Sequence, residues 1–237
     1  MAAVAGLIFD KDGTLYDFQA TWCAWSRGLL MELAEQDERH ARALGAAIGY
    51  ELGEAGAGGR FAPESPVIAG TVEIIAGRLL PHLPAWDMAA LVDRMNVRAA
   101  LAPQTEAVPL RPLLAGLRAD GLKLGVATND SEAPARVHLT ASEVEDLFDF
   151  IAGFDSGFGA KPAPGQLLAF AEATGLVPET VVMVGDSRHD LEAGRAAGMR
   201  CLGVLTGLAG ADDLAPHAEA VLPDIGALPR WLAAQTA

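Results

Sequence analysis

Asp10 and Asp12 stand two residues apart, directly after the short apolar run at residues 4–9. Comparable groups follow three later apolar runs. Thr128 and Asn129 come after residues 122–127, and Lys161-Pro162 lies a few residues beyond 150–153. Gly185-Asp186-Ser187 follows 181–184, with Asp190 four residues past Asp186. Four carboxylates gathered in one crevice repel one another and raise each other's pKa unless a cation is present. Oxygen donors with few dedicated protein contacts suit Mg²⁺, which keeps waters and takes a substrate phosphate oxygen. Lys161 and Thr128 would then face the remaining phosphate oxygens. That combination fits phosphoryl transfer, where catalysis is mostly positioning and charge neutralisation.

Distant residues meet only if the elements bring them to one rim. The runs at 4–9, 122–127, 150–153, 181–184 and 200–204 are short and largely apolar, and helical patterns separate most of them. Buried strands alternating with helices imply a parallel sheet with helices on both faces. In such α/β folds, ligands bind beyond the carboxyl ends of the strands. A weaker strand at 220–222 precedes a helix at 225–234. Helix 110–119, with Gly121 as its cap, leads back into the sheet. Between them, residues 17–102 hold no convincing strand. Helical spacing covers 18–35, 38–52, 71–80 and 87–101, and a glycine-rich stretch lies at 53–61. The expected organisation is a Rossmann-like three-layer core (1–16 and 103–237) with an inserted all-helical cap (17–102).

The chain has 237 residues, 51% of them hydrophobic, and a formal net charge of −14. The hydrophobic share is globular composition, and the acid excess argues against nucleic acid and anionic membrane surfaces, both of which reward Lys/Arg stripes. No segment approaches ~20 uninterrupted apolar residues, and the N-terminus lacks a basic region and a cleavage site. Cys23 and Cys201 have no metal spacing and read as reduced, buried hydrophobes. A cytoplasmic location is expected.

The segments Asp10-Lys11-Asp12-Gly13-Thr14-Leu15, Thr128-Asn129, Lys161-Pro162 and Gly185-Asp186-Ser187-Arg188-His189-Asp190 resemble the four ordered motifs of the haloacid dehalogenase superfamily. The 86-residue insertion resembles that family's helical cap of the first type, and the general appearance is phosphoglycolate-phosphatase-like. The resemblance implies that Asp10 attacks phosphorus and forms an aspartyl-phosphate. It implies that Asp12 protonates the leaving oxygen and then takes a proton from water. It assigns Mg²⁺ to Asp10, the Asp12 backbone carbonyl, Asp186 and Asp190, and phosphate to Thr128, Asn129 and Lys161. Members that expel halide lack an acid two residues after the nucleophile, so Asp12 favours phosphoryl chemistry. The implied protein is a phosphatase of small phosphorylated metabolites, acting as monomer or homodimer. The alternatives are a phosphomutase of the β-phosphoglucomutase type and a phospho-aspartate signalling module that does not turn over.

Other residues read more plainly. Lys11 faces away from both aspartates if the chain is still extended there, and is taken as structural. His189 reads as exposed in a first helical turn, and His40, His82, His138 and His217 show no ligand spacing. Trp22 and Trp25 fit the core face of a cap helix, with a pocket lining as the alternative. Arg60, a lone cation in the glycine-rich stretch, is a candidate for binding an anionic leaving group. No GxxxxGK[ST] and no GxGxxG after a strand occurs.

Overall fold

The computed structural model describes residues 3–53 and 59–235. The first strand, β1 (Gly6–Phe9), is buried along its whole length. The chain then enters α1 (Phe18–Leu33), α2 (Glu38–Ala47), the short strands β2 (Tyr50–Glu51) and β3 (Arg60–Phe61), and helices α3 (Pro66–Ala69), α4 (Val72–Leu79) and α5 (Met88–Ala100). It returns through α6 (Leu110–Ala119), β4 (Lys123–Ala127), α7 (Glu132–Ala141), β5 (Phe150–Ala152), α8 (Gly165–Thr174) and β6 (Val181–Gly185). It closes with α9 (Arg188–Ala196), β7 (Arg200–Val204), α10 (Ala211–Leu214), β8 (Ala220–Leu222) and α11 (Leu228–Gln235).

Six strands form one sheet in the order β5-β4-β1-β6-β7-β8, every pair parallel. From β1 the chain builds outward through β4 and β5, then crosses back to build β6, β7 and β8 on the other side. The reversal of direction lies at β1, where crevices open beyond the strand ends. Phe9 pairs with both Val126 and Val184, so the ends of β4 and β6 flank the residue that follows β1. Alternation along β1 divides its side chains between two layers. Leu7 and Phe9 pack with Leu114, Leu124 and Val182, while Ile8 packs with Leu167, Phe170 and Met183 on the opposite face. A further apolar cluster draws its buried members from Phe18 to Ala99 and centres on Leu29, Leu30, Leu44 and Met95. Among the described residues, no helix is long and apolar enough to cross a membrane. Both cysteines are free.

The structure departs from the expected elements of the insertion in three places, one of them breaking its all-helical character. First, the helix expected over 38–52 stops at Ala47, because Gly49 adopts φ +64° and turns the chain into β2. β2 pairs antiparallel with β3, and the Tyr50 and Phe61 rings lie 4.8 Å apart, tilted by 44°. Arg60 therefore lies on a short strand; residues 54–58 of the glycine-rich stretch fall outside the described residues. Second, α1 ends two residues early, before left-handed Glu35 and Gln36. Third, α3 was not anticipated, although its start is conventional: Ser65 caps Val67 N–H and Pro66 takes the first turn. Gly121 follows α6 at φ +88°, the left-handed position that ends a helix.

Gly125 on β4 makes room for a ring. A Cβ there would meet Phe170 at 2.6 Å, and Phe170 is fully buried. Gly125→Ala is expected to destabilise the fold by roughly 1–3 kcal/mol through overpacking. Denaturant unfolding should show a lower midpoint at unchanged slope.

Candidate active site

The site forms where β1, β4 and β6 end together. Asp10 follows β1 directly, and its N–H still bonds Val184 O at 2.9 Å, so the sheet fixes its backbone. Past Asp10 the chain turns: Leu15 and Tyr16 N–H both return to Lys11 O. Gly13 takes φ +85° with its Cα against Asp186, where a Cβ would lie 2.4 Å from the carboxylate. Only glycine satisfies both conditions. Gly207, beyond β7, approaches Asp186 from the other side, and a Cβ there would lie 1.6 Å from Oδ2. Neighbouring Thr206 donates its hydroxyl to Gly13 O at 2.6 Å, tying the two loops together. Thr206 and Gly207 were missed in the sequence, although they stand just past the apolar run at 200–204, where a strand-end group is expected.

Asp10, Asp186 and Asp190 are buried and bring carboxylate oxygens within 4.8 Å of one another. Among the described residues they form the acidic cluster that could hold a metal ion; the Asp12 side chain stands outside it. Lys161 neutralises part of the charge. Its ammonium donates to Asp10 Oδ1 at 2.6 Å, Asp190 Oδ1 at 2.6 Å and Ala127 O at 2.7 Å. Those three bonds use its three protons. Asp190 Oδ2 accepts from the Ser187 N–H and hydroxyl, closing the first turn of α9. Asp190 thus orients Lys161 and α9 together.

The expected phosphate-binding residues divide. Thr128 is buried at the end of β4, and its Oγ1 accepts from Asp130 N–H at 3.0 Å, which leaves the hydroxyl proton to donate elsewhere. The Asn129 side chain is already engaged. Its amide nitrogen donates to Ala69 O and Lys161 O, and its Oδ1 accepts from Lys161 N–H. It holds the backbone of Lys161 in place, so its side chain serves this loop.

Lys11 corrects the sequence reading. It is 0% exposed, and its Nζ lies 2.5 Å from Asp12 Oδ2, 3.0 Å from Asp130 Oδ2 and 3.2 Å from His138 Nδ1. The expectation that it faces away assumed extended backbone, whereas the chain has already begun to turn. His138 Nε2 lies 2.8 Å from Ala99 O; a carbonyl only accepts, so Nε2 carries the hydrogen and Nδ1 accepts from Lys11. Burial and then the adjoining ammonium bring His138 down to about 4, so the ring is neutral. Asp130 and His138 went unnoticed as site residues; Asp130 had a signal in its position beside Thr128-Asn129.

Five carboxylates (Asp10, Asp12, Asp130, Asp186 and Asp190) thus share the region with two ammonium groups. The consequence is visible in Asp10, which burial pushes up to about 7, with Asp190 and Asp12 adding and Lys161 opposing. Burial, then Asp10 and Asp190, also raise Asp186 well above the ordinary carboxylate range. Both lysines are raised despite burial, Lys161 by Asp10 and Asp190 and Lys11 by Asp12 and Asp130.

A small cavity of about 30 Å³ reaches Asp10, Asp12, Thr128, Lys161 and Asp186, with Phe18 and Trp22 on its far wall. Trp22 therefore does both things weighed for it, since it also belongs to the apolar cluster of α1; Trp25 lies in that cluster alone. A cleft of about 890 Å³ opens beside the cavity, bounded by Phe61, Ile68 and Arg60 on one side and by Lys161, Asp186 and Arg188 on the other. His189 is exposed at its edge, as expected.

A phosphoglycolate phosphatase of Neisseria meningitidis is 39% identical over 139 residues, covering 58% of this chain and 57% of that protein. The chain thus spans little more than half the length of that relative. Two solved structures share the fold almost end to end. One is a HAD phosphatase from Thermococcus onnurineus, with TM-score 0.67 and 21% identity over 97% of this chain and 98% of that one. The other is a β-phosphoglucomutase from Clostridium difficile, with TM-score 0.65 and 16% identity over 98% and 99%. Residues 4–198 match the haloacid dehalogenase-like hydrolase family, and the chain belongs to that family.

Proposed function

We propose that this protein is a Mg²⁺-dependent phosphatase of small phosphorylated metabolites, phosphoglycolate-like monoesters among them, working through an aspartyl-phosphate on Asp10. The observation that carries the reading is the placement of Asp10 and Asp12 on one turn, around a single small cavity with Thr128, Lys161 and Asp186. An Asp10 oxygen attacks phosphorus as the bond to the leaving oxygen breaks, and Asp12 delivers a proton to that oxygen. Water then attacks the phosphorus, Asp12 takes its proton, and the Asp10–phosphorus bond breaks to release phosphate. Lys161 holds the nucleophile, and the Thr128 hydroxyl donates to a phosphoryl oxygen. Residues 17–102 act as the cap, excluding water while the phosphoenzyme forms. Arg60, exposed on β3 and without an ion-pair partner among the described residues, meets an anionic leaving group in the cleft.

The donor set fits a divalent cation. Three negative charges exceed the lysines, and the Asp10 and Asp186 carboxylates are both destabilised as anions. Asp10, Asp186 and the Asp12 carbonyl would hold Mg²⁺, with Asp190 in support. When bound, the ion supplies positive charge to the phosphoryl oxygens.

Three results test this reading. Phosphate release, screened over phosphorylated metabolites with and without Mg²⁺, should disappear in Asp10→Asn and fall about 10²–10⁴-fold in Asp12→Ala. Free phosphate should accumulate; phosphoryl transfer to a sugar without net release would instead indicate a mutase. Arg60→Ala should raise KM about tenfold for anionic leaving groups (about 1.4 kcal/mol of binding) and leave neutral ones unaffected; an unchanged KM for every substrate removes Arg60 from the site.

The third concerns pH. Asp10 is raised in the fold to about 7 from its ordinary 3.8. Its contribution to the metal-free fold is therefore complete below the unfolded value and is lost as pH rises through 7. A cation bound to the anion offsets that loss, so the Mg²⁺-induced rise in Tm should be larger at pH 8 than at pH 5. Equal rises at both pH values, measured against EDTA controls, would contradict the assignment of the cation to Asp10.

A further inference from the structure

The buried ion cluster around Lys11 has no part in the steps above, yet it touches their acid. The Lys11 ammonium is ion-paired with Asp12 Oδ2 and Asp130 Oδ2 and hydrogen-bonded to His138 Nδ1. Its position is fixed from several directions. The Tyr16 and Trp22 rings lie 5.9 and 5.7 Å from Nζ, close enough for cation–π attraction. His138 is itself anchored to Ala99 O on α5, and Ser131, at the start of α7, donates to Asn96 on the same helix. A fully buried lysine is costly unless its charge is paired and hydrogen-bonded. Here the pairing has a directional result. Asp12 Oδ2 is held, whereas Asp12 Oδ1 is buried with no hydrogen-bond partner among the described residues. An orphaned carboxylate oxygen beside the reaction cavity is a group waiting for a partner that the protein does not supply.

We infer that Lys11 is a positioning residue for proton transfer: by clamping one oxygen of Asp12, it fixes the carboxyl plane and reserves Oδ1 as the oxygen that exchanges a proton with the leaving group and with water. The inference rests on the phosphatase reading above. In the forward step the Oδ1–H proton passes to the leaving oxygen as its bond to phosphorus breaks, and Oδ2 keeps its bond to Lys11. In the second step a water proton returns to Oδ1 as the water oxygen bonds to phosphorus. His138 Nδ1 accepts another ammonium proton and the Asp130 carboxylate lies 3.0 Å away as a second ion-pair partner, which resists the lysine swinging away with Asp12.

The leaving group distinguishes positioning from general support of the fold. p-Nitrophenolate departs without a proton, whereas an alkoxide needs one. Lys11→Met and Lys11→Gln, each checked for native circular dichroism and cooperative melting, are compared with the wild type in single-turnover release from p-nitrophenyl phosphate and from phosphoglycolate. The expected result is a loss on the order of 100-fold for phosphoglycolate, with KM little changed and a near-wild-type first turnover for the nitrophenyl ester. An equal loss on both esters, or no loss on either, overturns the inference while leaving the phosphatase reading intact. A wild type that hydrolyses neither ester overturns that reading, and this inference with it. A measurement that needs no variant is a crystal structure of the wild type with vanadate. It should show Asp12 Oδ2 still on Lys11 and Oδ1 turned toward the oxyanion. Asp12 rotated off Lys11 would refute the clamp even if both variants failed to fold.

Discussion

Concentration of negative charge at one end of a buried sheet is the constraint that organises this molecule. Carboxylates out of water raise one another's energy, and burial alone makes their anionic forms unfavourable. The protein meets this with two buried lysines, each of which has three close acceptors. Lys161 joins Asp10 to Asp190 and to the backbone of β4, and Lys11 joins Asp12 to Asp130 and His138. The two lysines divide the aspartates into two groups. Asp10 and Asp190 lie with Asp186 in the acidic cluster that could hold a metal ion, whereas the Asp12 and Asp130 side chains stand outside it.

The fold makes that separation possible through backbone. Parallel register brings five loops to one level, because Phe9 pairs with Val126 and Val184, and these pair with Ile151 and Leu202. Gly13 and Gly207 then allow two of the loops to close on Asp186 from opposite sides. Asn129 fixes the loop carrying Lys161 through that residue's own N–H and C=O, which sets the lysine by position as well as by charge. Side-chain chemistry at such a site depends on backbone held tightly enough that small displacements are resisted.

Much of this was legible in the chain. Apolar runs buried on both faces announce parallel strands, and the polar residues after each run announce the rim. That pattern gave β1, β4, β5, β6, β7 and β8 to within about two residues, and placed Asp10, Thr128, Lys161, Asp186 and Asp190 together. The errors have local causes. The helix expected to reach residue 52 was cut by left-handed Gly49, and the ribbon of Tyr50 and Phe61 is too short to carry a periodic signal. Lys11 was misjudged because an alternation rule was carried one residue past the end of its strand. That the Asn129 side-chain amide already holds Ala69 and Lys161 is a tertiary fact no local pattern carries.

The sequence by itself determined the class of fold, the order of the reactive groups and the kind of chemistry they suit, since periodicity and residue type act locally and are written along the chain. Tertiary structure alone decided which groups are partners. Lys11 and His138 are 127 residues apart, and Lys161 and Asp10 151. No spacing rule links residues at such separations. Their pairing follows from the order of strands in the sheet and from the need of every buried charge to find an opposite charge or a hydrogen bond.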